Sequence, residues 1–136
     1  MKTLRYTLSL ALLLITALSC THNNGDIGNQ FGQWKLVTMT RAGVDDADYK
    51  GNIFWSFQNT TIEIKEVAAN HEVWQTFGNY RLEDATLFLS FPDEDRPPRP
   101  VLGLPRECEL QVVRLKGGEM VLYYPENETT YTFRRW

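Results

Sequence analysis

The residues with the clearest chemical potential are an acidic run, Asp45-Asp46-Ala47-Asp48. Carboxylates at alternate positions begin an EF-hand calcium loop. Counted from Asp46, however, the fifth position is Lys50 and the twelfth is Phe57, where that loop needs oxygen ligands. The run therefore indicates a solvated acidic loop, and we predict no calcium site there.

The histidines and cysteines do not form a reactive or metal-binding pattern. His22 lies in a polar segment, and His71-Glu72 is an isolated pair without zinc spacing. Cys108 has no base at a suggestive spacing, so it fits a small buried side chain better than a nucleophile. The chain also lacks a nucleophile elbow, a phosphate-binding glycine loop and a Ser/His/Asp array. We therefore predict neither an enzyme nor a metal or cofactor site.

The N-terminal segment MKTLRYTLSLALLLITALSC has the pattern of a secretory signal peptide. Lys2 and Arg5 precede an apolar run that is too short to span a membrane. Its end, Ser19-Cys20, resembles a bacterial lipobox, although Ala17 stands where that motif prefers Leu. The alternative is an ordinary signal peptide that is cut near this point.

We accordingly expect residues 1–20 to be a lipoprotein signal peptide, with Cys20 as the lipidated residue. The protein would then be anchored in the cell envelope, on the outer membrane facing the periplasm or the surface. Without the leader, 14 − 2 = 12 basic residues face 17 acidic ones, a net charge of −5. This balance argues against a nucleic-acid partner, which requires a basic face. With Cys20 lipidated, Cys108 has no disulfide partner.

The rest of the chain predicts an all-β domain. Residues 21–30 are polar, rich in Gly and Asn, and predict a flexible tether. From Phe31 onward, apolar residues alternate in runs that turn residues interrupt. These runs predict eight strands in a domain at residues 31–136, namely 33–40, 52–58, 61–67, 72–82, 85–91, 107–115, 119–124 and 129–136.

The lengths of the connections predict how these strands are arranged. The turns at 58–60, 83–84 and 116–118 are hairpin-sized, whereas 41–51 and 92–106 are long and 68–71 and 125–128 are intermediate. Short and longer links alternate, so an up-and-down meander gathers all the hairpins at one end. Closing the eight strands into an antiparallel barrel removes both edges. A Greek-key sandwich would not sort the links in this way.

Closure would bring the first and last strands together at the hairpin end. Trp34 begins the first strand, and Arg135 ends the last on the face of Tyr131 and Phe133. We predict that the Arg135 guanidinium covers the Trp34 ring, a contact worth ~0.5–2 kcal/mol. Gly32 would let the chain bend into this floor.

This combination resembles a known family. Gly32-Gln33-Trp34 is similar to the G-x-W signature of the lipocalin and wider calycin fold, and Arg135 matches the Arg that packs on that Trp. With the leader and tether, the chain resembles the short lipocalin-like lipoproteins of Bacteroides-type bacteria. It lacks the C-terminal helix and the second structural motif of full-length lipocalins, which argues against a large cavity.

Parity along the strands predicts the inward-facing residues. At the floor they are Trp34, Leu36, Phe57, Ile62, Leu82, Leu87 and Arg135. Towards the other end they are Thr38, Thr40, Ile53, Trp55, Ile64, Glu66, Trp74, Phe91, Cys108, Tyr124 and Tyr131. Gly78 could mark a bulge, and Val113 and Leu115 break the pattern of their strand.

These assignments predict a mouth that binds a small hydrophobic or amphiphilic ligand. The tentative binding residues are Trp55, Glu66, Trp74, Phe91, Tyr124 and Tyr131. The alternative is that side chains fill the barrel, which then serves as a structural or interaction module of an envelope complex.

The loop from Pro92 to Arg106 is the most unusual surface segment. Its prolines favour an extended backbone. Val101, Leu102 and Leu104 would either fold over the mouth as a lid or form an exposed docking patch for a protein partner. A plain spacer remains a third interpretation.

Overall fold

The computed structural model of the protein describes residues 28–136. The predicted leader, with Cys20 and most of the tether, lies outside the described residues. Within them the chain forms nine strands and one short 3-10 helix, Pro100–Leu102. The strands are β1 Gly32–Arg41, β2 Val44–Asp45, β3 Ile53–Gln58, β4 Thr61–Val67, β5 Val73–Glu83, β6 Thr86–Ser90, β7 Glu107–Lys116, β8 Glu119–Tyr124 and β9 Thr129–Arg135.

Eight of these strands close into an antiparallel barrel. Each strand from β3 to β9 pairs with its neighbour in sequence, β1 pairs with β3, and β1 also pairs with β9. The predicted up-and-down barrel is confirmed, and the sandwich is excluded. The chain alternates direction at every turn, so no Greek-key crossover occurs in the described part of the chain.

The two-residue strand β2 was not predicted, because it lies in a segment that the sequence analysis treated as loop 41–51. It pairs only with the end of β1, at Thr40 and Arg41, on the part of the β1 edge that β3 does not reach. Ala42 and Gly43 have φ of 52° and 80°, which turns the chain back. Val44 is 70% exposed, so this hairpin buries no apolar face and carries no periodic signal.

The tight turns that join consecutive barrel strands gather at one end, as predicted. They join β3 to β4, β5 to β6 and β7 to β8. Residues in the left-handed region allow these reversals: φ is 45° at Asn59, 54° at Asp84 and 62° and 75° at Gly117 and Gly118. This floor end also contains the start of β1 and the end of β9.

A bulge in β1 corrects part of the predicted inward face. The pairing of β1 with β9 shifts between Leu36 and Thr38. Beyond this point Met39 is buried and Thr38 is exposed, so the prediction that Thr38 and Thr40 face inward was wrong. One additional residue in a strand exchanges the two faces of everything that follows it.

The other two suspected irregularities have different outcomes. A second bulge does occur in β7, between Val112 and Arg114, and it leaves Val113 64% exposed. At Gly78 the pairing of β4 with β5 continues without a slip. A Cβ on Gly78 would lie 2.5 Å from the Ser90 carbonyl oxygen and 2.7 Å from the Phe91 ring, so glycine is needed there for packing.

The barrel interior is filled by side chains. Its largest fully buried members are Trp34, Trp55, Tyr131, Phe57, Phe91 and Phe133, with Leu36, Ile53, Ile62, Ile64, Leu87 and Leu102 packed among them. Burying an aliphatic or aromatic side chain of this size contributes roughly 1.5–3 kcal/mol. No helix within residues 28–136 has the length and apolar character needed to cross a membrane.

Candidate functional site

The floor of the barrel is the predicted Trp34–Arg135 pair. The two residues are register partners, and the Arg135 guanidinium carbon lies 4.3 Å from the centroid of the Trp34 ring. Trp34 is 1% exposed. Gly32, with φ of 110°, brings the backbone so close that a Cβ would lie 3.0 Å from Arg135 Nη1. This end of the barrel is therefore sealed.

The chain that enters the barrel is held to this floor. The Trp34 indole Nε1 donates to the Gln30 carbonyl oxygen at 2.8 Å. Arg135 donates to the carbonyl oxygens of Phe31 and Asn29, each at 2.7 Å. Residues 28–30, which the sequence analysis placed at the end of the tether, thus contact the barrel.

The end that was predicted to be open is closed by the 92–106 loop. Its short helix places Leu102 inside the barrel with no exposed surface, and Leu104 is 7% exposed. Of the three interpretations of this loop, the structure shows the lid. Leu102 and Leu104 are consequently not an exposed docking patch.

Hydrogen bonds from the barrel wall hold this lid. The hydroxyl of Tyr131 donates to the Leu102 carbonyl oxygen. The Thr76 hydroxyl donates to the Arg96 carbonyl oxygen at 2.5 Å, and Asn127 Nδ2 donates to the Gly103 carbonyl oxygen at 3.0 Å. All three acceptors are backbone groups of the loop, so the lid is held by side chains and not by strand pairing.

Glu66 and Trp74 meet at the edge of this lid. They are register partners in β4 and β5, and both contact Arg99 of the loop. Arg99 Nε lies 2.9 Å from Glu66 Oε2, and its guanidinium carbon lies 5.2 Å from the Trp74 ring centroid. Beside them is a cleft of about 280 Å³, lined by Asp48, Tyr49, Lys50, Asn52, Glu66, Arg99, Pro100 and Val101.

Trp55 lies deeper, in the middle of the barrel, with no exposed surface. Its ring centroid is 4.9 Å from that of Phe133 and 6.2 Å from that of Tyr131. Its indole Nε1 is buried and has no hydrogen-bond partner among the described residues. An unpaired buried donor typically costs about 1–3 kcal/mol. A hydrogen-bond acceptor placed beside this N–H would therefore remove that cost.

The remaining two predicted site residues lie elsewhere on the barrel wall. Phe91 is 1% exposed and covers Gly78. The Tyr124 hydroxyl donates to Glu126 Oε2 at 2.9 Å, and burial together with this carboxylate raises the pKa of Tyr124 to about 12. The structure thus joins Trp55 to Tyr131 and Glu66 to Trp74, while Phe91 and Tyr124 belong to other contacts.

Sequence reasoning missed two residues that organise this end. Arg99 was treated as part of a proline-rich loop, yet it links Glu66 and Trp74 to the lid. Tyr49 was not considered, although its hydroxyl donates to the Leu36 carbonyl oxygen and accepts from the Ile53 amide at 3.3 Å. The only signal for Arg99 was its charge between two prolines, and no periodicity marks Tyr49.

Cys108 borders a shallow surface groove of about 680 Å³ over β5, β6 and β7. Burial and the nearby Glu126 and Glu107 carboxylates raise the pKa of the Cys108 thiol to about 12. The thiol therefore stays protonated at neutral pH, which makes it a poor nucleophile. Within residues 28–136, no group of three or more His, Cys, Asp or Glu side chains is placed to hold a metal ion.

This chain is similar to known proteins in sequence and in fold. A family model described as lipocalin-like domain matches residues 12–136. A lipocalin-like protein from Bacteroides uniformis ATCC 8492 is 22% identical with a TM-score of 0.68, covering 80% of this chain and 100% of its own. An uncharacterized protein from Bacteroides eggerthii DSM 20697 is 18% identical with a TM-score of 0.63, covering 79% and 99%. Comparison with curated proteins gave no match.

Proposed function

Because this chain belongs to the lipocalin-like domain family, we propose that it binds a small hydrophobic or amphiphilic ligand inside the barrel. The family fold suggests binding of small hydrophobic molecules, and its members are generally binders and not enzymes. The ligand enters at the end that the 92–106 loop covers. Trp55 and Tyr131 form the inner wall of the site, and Glu66, Trp74 and Arg99 form its rim.

The observation that carries this proposal is the unpaired Nε1 of Trp55. A ligand with an acceptor oxygen would receive this hydrogen bond, while its apolar part packs against the Tyr131 and Phe133 rings. Apolar walls with a few placed polar groups are the usual composition of a small-molecule site. This favours an amphiphile over a pure hydrocarbon.

Entry requires the lid to move, because Leu102 is buried at the covered end, where its carbonyl oxygen accepts from the Tyr131 hydroxyl. The lid has no strand pairing and is held by four side-chain hydrogen bonds, among them that of Arg96 Nη1 to the Gln75 carbonyl oxygen, and by the Glu66–Arg99 ion pair. Segments held in this way open at a lower free energy than barrel strands. Opening of the lid would expose apolar surface of the aromatic wall to water. A ligand that takes the place of Leu102 there would bury this surface again.

The test compares ligand and dye binding in matched variants of the full chain. Native mass spectrometry of protein purified from its host should find a bound small molecule. Trp55→Phe, which removes the donor but keeps the ring, should weaken amphiphile binding roughly 5–10-fold. Trp136→Phe makes the same change on the outer surface and should have no effect.

Two outcomes would count against ligand binding. One is the absence of any co-purified molecule together with no dye binding by a lid-loosened Tyr131→Phe variant. The other is equal loss of binding in the Trp55→Phe and Trp136→Phe variants.

We further propose that Cys20 carries acyl chains and anchors the protein in the cell envelope. The proposal is supported by the basic start, apolar run and Ser19-Cys20 end of the leader. Mass spectrometry of the N-terminal peptide should detect acyl groups on Cys20, and Cys20→Ala should release the protein from membranes. Recovery of an unmodified Cys20 from the membrane fraction would contradict it.

The packed interior favours a second candidate, a filled barrel that acts as an interaction module of an envelope complex. The exposed residues of the 92–106 loop are then the contact surface, since Asp93, Glu94 and Asp95 are all exposed. Replacing these three with Ser leaves the buried Leu102 untouched. Loss of a partner with unchanged dye binding would support this candidate over the first.

A further inference from the structure

One side wall of the barrel carries a patch of aromatic and basic side chains on β1, β3, β4 and β9 and at the end of the chain. It consists of Lys35, Phe54, Lys65, Arg134 and Trp136, and we refer to it as the aromatic–basic patch. Register pairs Lys35 with both Phe54 and Arg134, and Phe54 with Lys65. These side chains are therefore neighbours on the outer face.

The aromatic members form a small cluster with a cation. The rings of Phe54 and Trp136 are 5.4 Å apart in an edge-to-face arrangement. Lys35 Nζ lies 4.7 Å from the Trp136 ring centroid and 6.0 Å from that of Phe54. Trp136 is nevertheless 68% exposed, so the cluster presents a large indole surface to solvent.

The charges of the patch are not neutralised by the protein. In residues 28–136 neither Lys35, Lys65 nor Arg134 forms an ion pair. Of the nearby acids, Glu119 is already paired with Arg114 at 3.0 Å, and Glu63 forms no ion pair in the same part of the chain. The chain as a whole is acidic, with a net charge of −3, whereas Lys35, Lys65 and Arg134 exceed the unpaired Glu63 by two charges, so the patch runs against this average.

We propose that the aromatic–basic patch binds the surface of a membrane that contains anionic lipids. Indole rings favour the boundary between headgroups and acyl chains, where an apolar body and a polar N–H are both accommodated. Cations beside them are attracted by anionic headgroups, each strengthening binding about fivefold. An exposed indole flanked by unpaired cations combines both properties.

The position of the patch in the fold fits this partner. Asn29 is bonded to Arg135 at the floor, so the described chain begins at the same end of the barrel as Trp136. Seven residues lie between Cys20 and Gly28, so the eight Cα–Cα steps reach at most about 26–29 Å. The orientation of the barrel rests on the proposed acyl anchor at Cys20, which would hold the patch within reach of the bilayer. The affinity of the patch does not rest on it.

The experiment uses the full chain with Cys20→Ser, so that no acyl group contributes. Co-sedimentation is measured with vesicles of phosphatidylcholine alone and of phosphatidylcholine mixed with phosphatidylglycerol. The Cys20→Ser chain should bind the anionic vesicles more strongly, and salt should weaken this binding. In that background, Lys35→Gln and Arg134→Gln should each reduce binding about fivefold, and Trp136→Ala at least as much.

Matched controls lie at the opposite end or on other walls. Lys50→Gln removes an exposed cation near the lid, and Phe88→Ala removes a partly exposed aromatic ring from β6, on another wall. Both should leave vesicle binding unchanged. Apolar-dye binding should be the same in all patch variants, which separates this proposal from the ligand site.

Three results would overturn the proposal. The first is equal binding of the two vesicle types, and the second is a loss with Lys50→Gln as large as with Lys35→Gln. The third is a change of oligomeric state in the patch variants without vesicles, which would assign the patch to contact with a second copy. Absence of acyl groups on Cys20 would remove the anchor but not this surface.

Discussion

The guanidinium of Arg135 lies over the indole of Trp34, with its carbon 4.3 Å from the ring centroid, and at the same time donates to the carbonyl oxygens of Phe31 and Asn29. One side chain thus seals the floor, joins the last strand to the first and holds the entering chain. Arg suits this position because its planar fork can stack on a ring and donate in two directions.

Arg135→Gln should lower the free energy of unfolding by about 1–2 kcal/mol, because it removes the stacking contact and the charge-assisted bonds. Arg135→Lys should recover only part of this, since an ammonium group cannot stack and bridge both carbonyls. Urea denaturation measures the change. Arg134→Gln is the control, because this neighbour is exposed and should change stability by less than about 0.5 kcal/mol. Equal effects at both positions would contradict the role of the floor contact.

Gly78→Ala should destabilise the barrel by about 1–3 kcal/mol through overpacking. The added methyl group would lie 2.5 Å from the Ser90 carbonyl oxygen and 2.7 Å from the Phe91 ring. Thermal unfolding of the variant tests this, with the exposed Asn79→Ala as the control. In a Phe91→Leu background, Gly78→Ala should lower the free energy of unfolding by less than it does in the natural chain, because the smaller side chain makes room for the methyl group. An equal loss in both backgrounds would show that the Phe91 ring is not the obstacle.

Tyr131→Phe should loosen the lid, because it removes the hydroxyl that donates to the Leu102 carbonyl oxygen. A buried carbonyl left without its donor costs about 1–3 kcal/mol. Amide hydrogen exchange of the peptide covering residues 99–106 should become roughly 5–100-fold faster, while exchange in β3 and β4 stays the same. Tyr123→Phe, on the outer face of β8, is the matched control. Uniformly faster exchange in both peptides would instead indicate global destabilisation.

Stability should fall as the pH rises from about 9 to 12. Burial raises the pKa of Tyr49 and Tyr124 to about 12 from an ordinary value of 10.0, and it raises the pKa of Tyr131 as well. Above pH 10 the unfolded chain loses phenolic protons that the folded chain retains, so the unfolded state is favoured. For each of these tyrosines, the free energy of unfolding falls by up to about 1.4 kcal/mol per pH unit until the pH reaches the pKa of that residue in the folded state. Urea midpoints at pH 8 and pH 11 measure it, and Tyr49→Phe should flatten the slope.

Cys108 should react slowly with iodoacetamide in the folded protein. Its pKa of about 12 leaves almost no thiolate at pH 8, because burial and the Glu126 and Glu107 carboxylates oppose the charge. Glu126→Gln should speed alkylation by removing one of these carboxylates. Labelling as fast as in the urea-unfolded chain would contradict the raised pKa.

Much of the fold was determined by the sequence alone. Alternating apolar residues and turn residues located all eight barrel strands to within one or two residues, and the order of link lengths predicted which end holds the hairpins. The pairing of Trp34 with Arg135 followed once the barrel closed. The strands and hairpins could be predicted because strand period and turn chemistry depend on neighbouring residues.

Only the tertiary structure decided what depends on distant contacts. The bulge at Val37 turned Met39 to the inner face of the barrel and Thr38 to the outer face, and no local sequence pattern predicts such an extra residue. The 92–106 loop became a lid because Tyr131, Thr76 and Asn127, which are remote in sequence, supply its hydrogen bonds. The unpaired Nε1 of Trp55 likewise depends on which side chains surround it after closure. Sequence spacing determines the strands, whereas burial and hydrogen-bond partners exist only when all of the strands are in place.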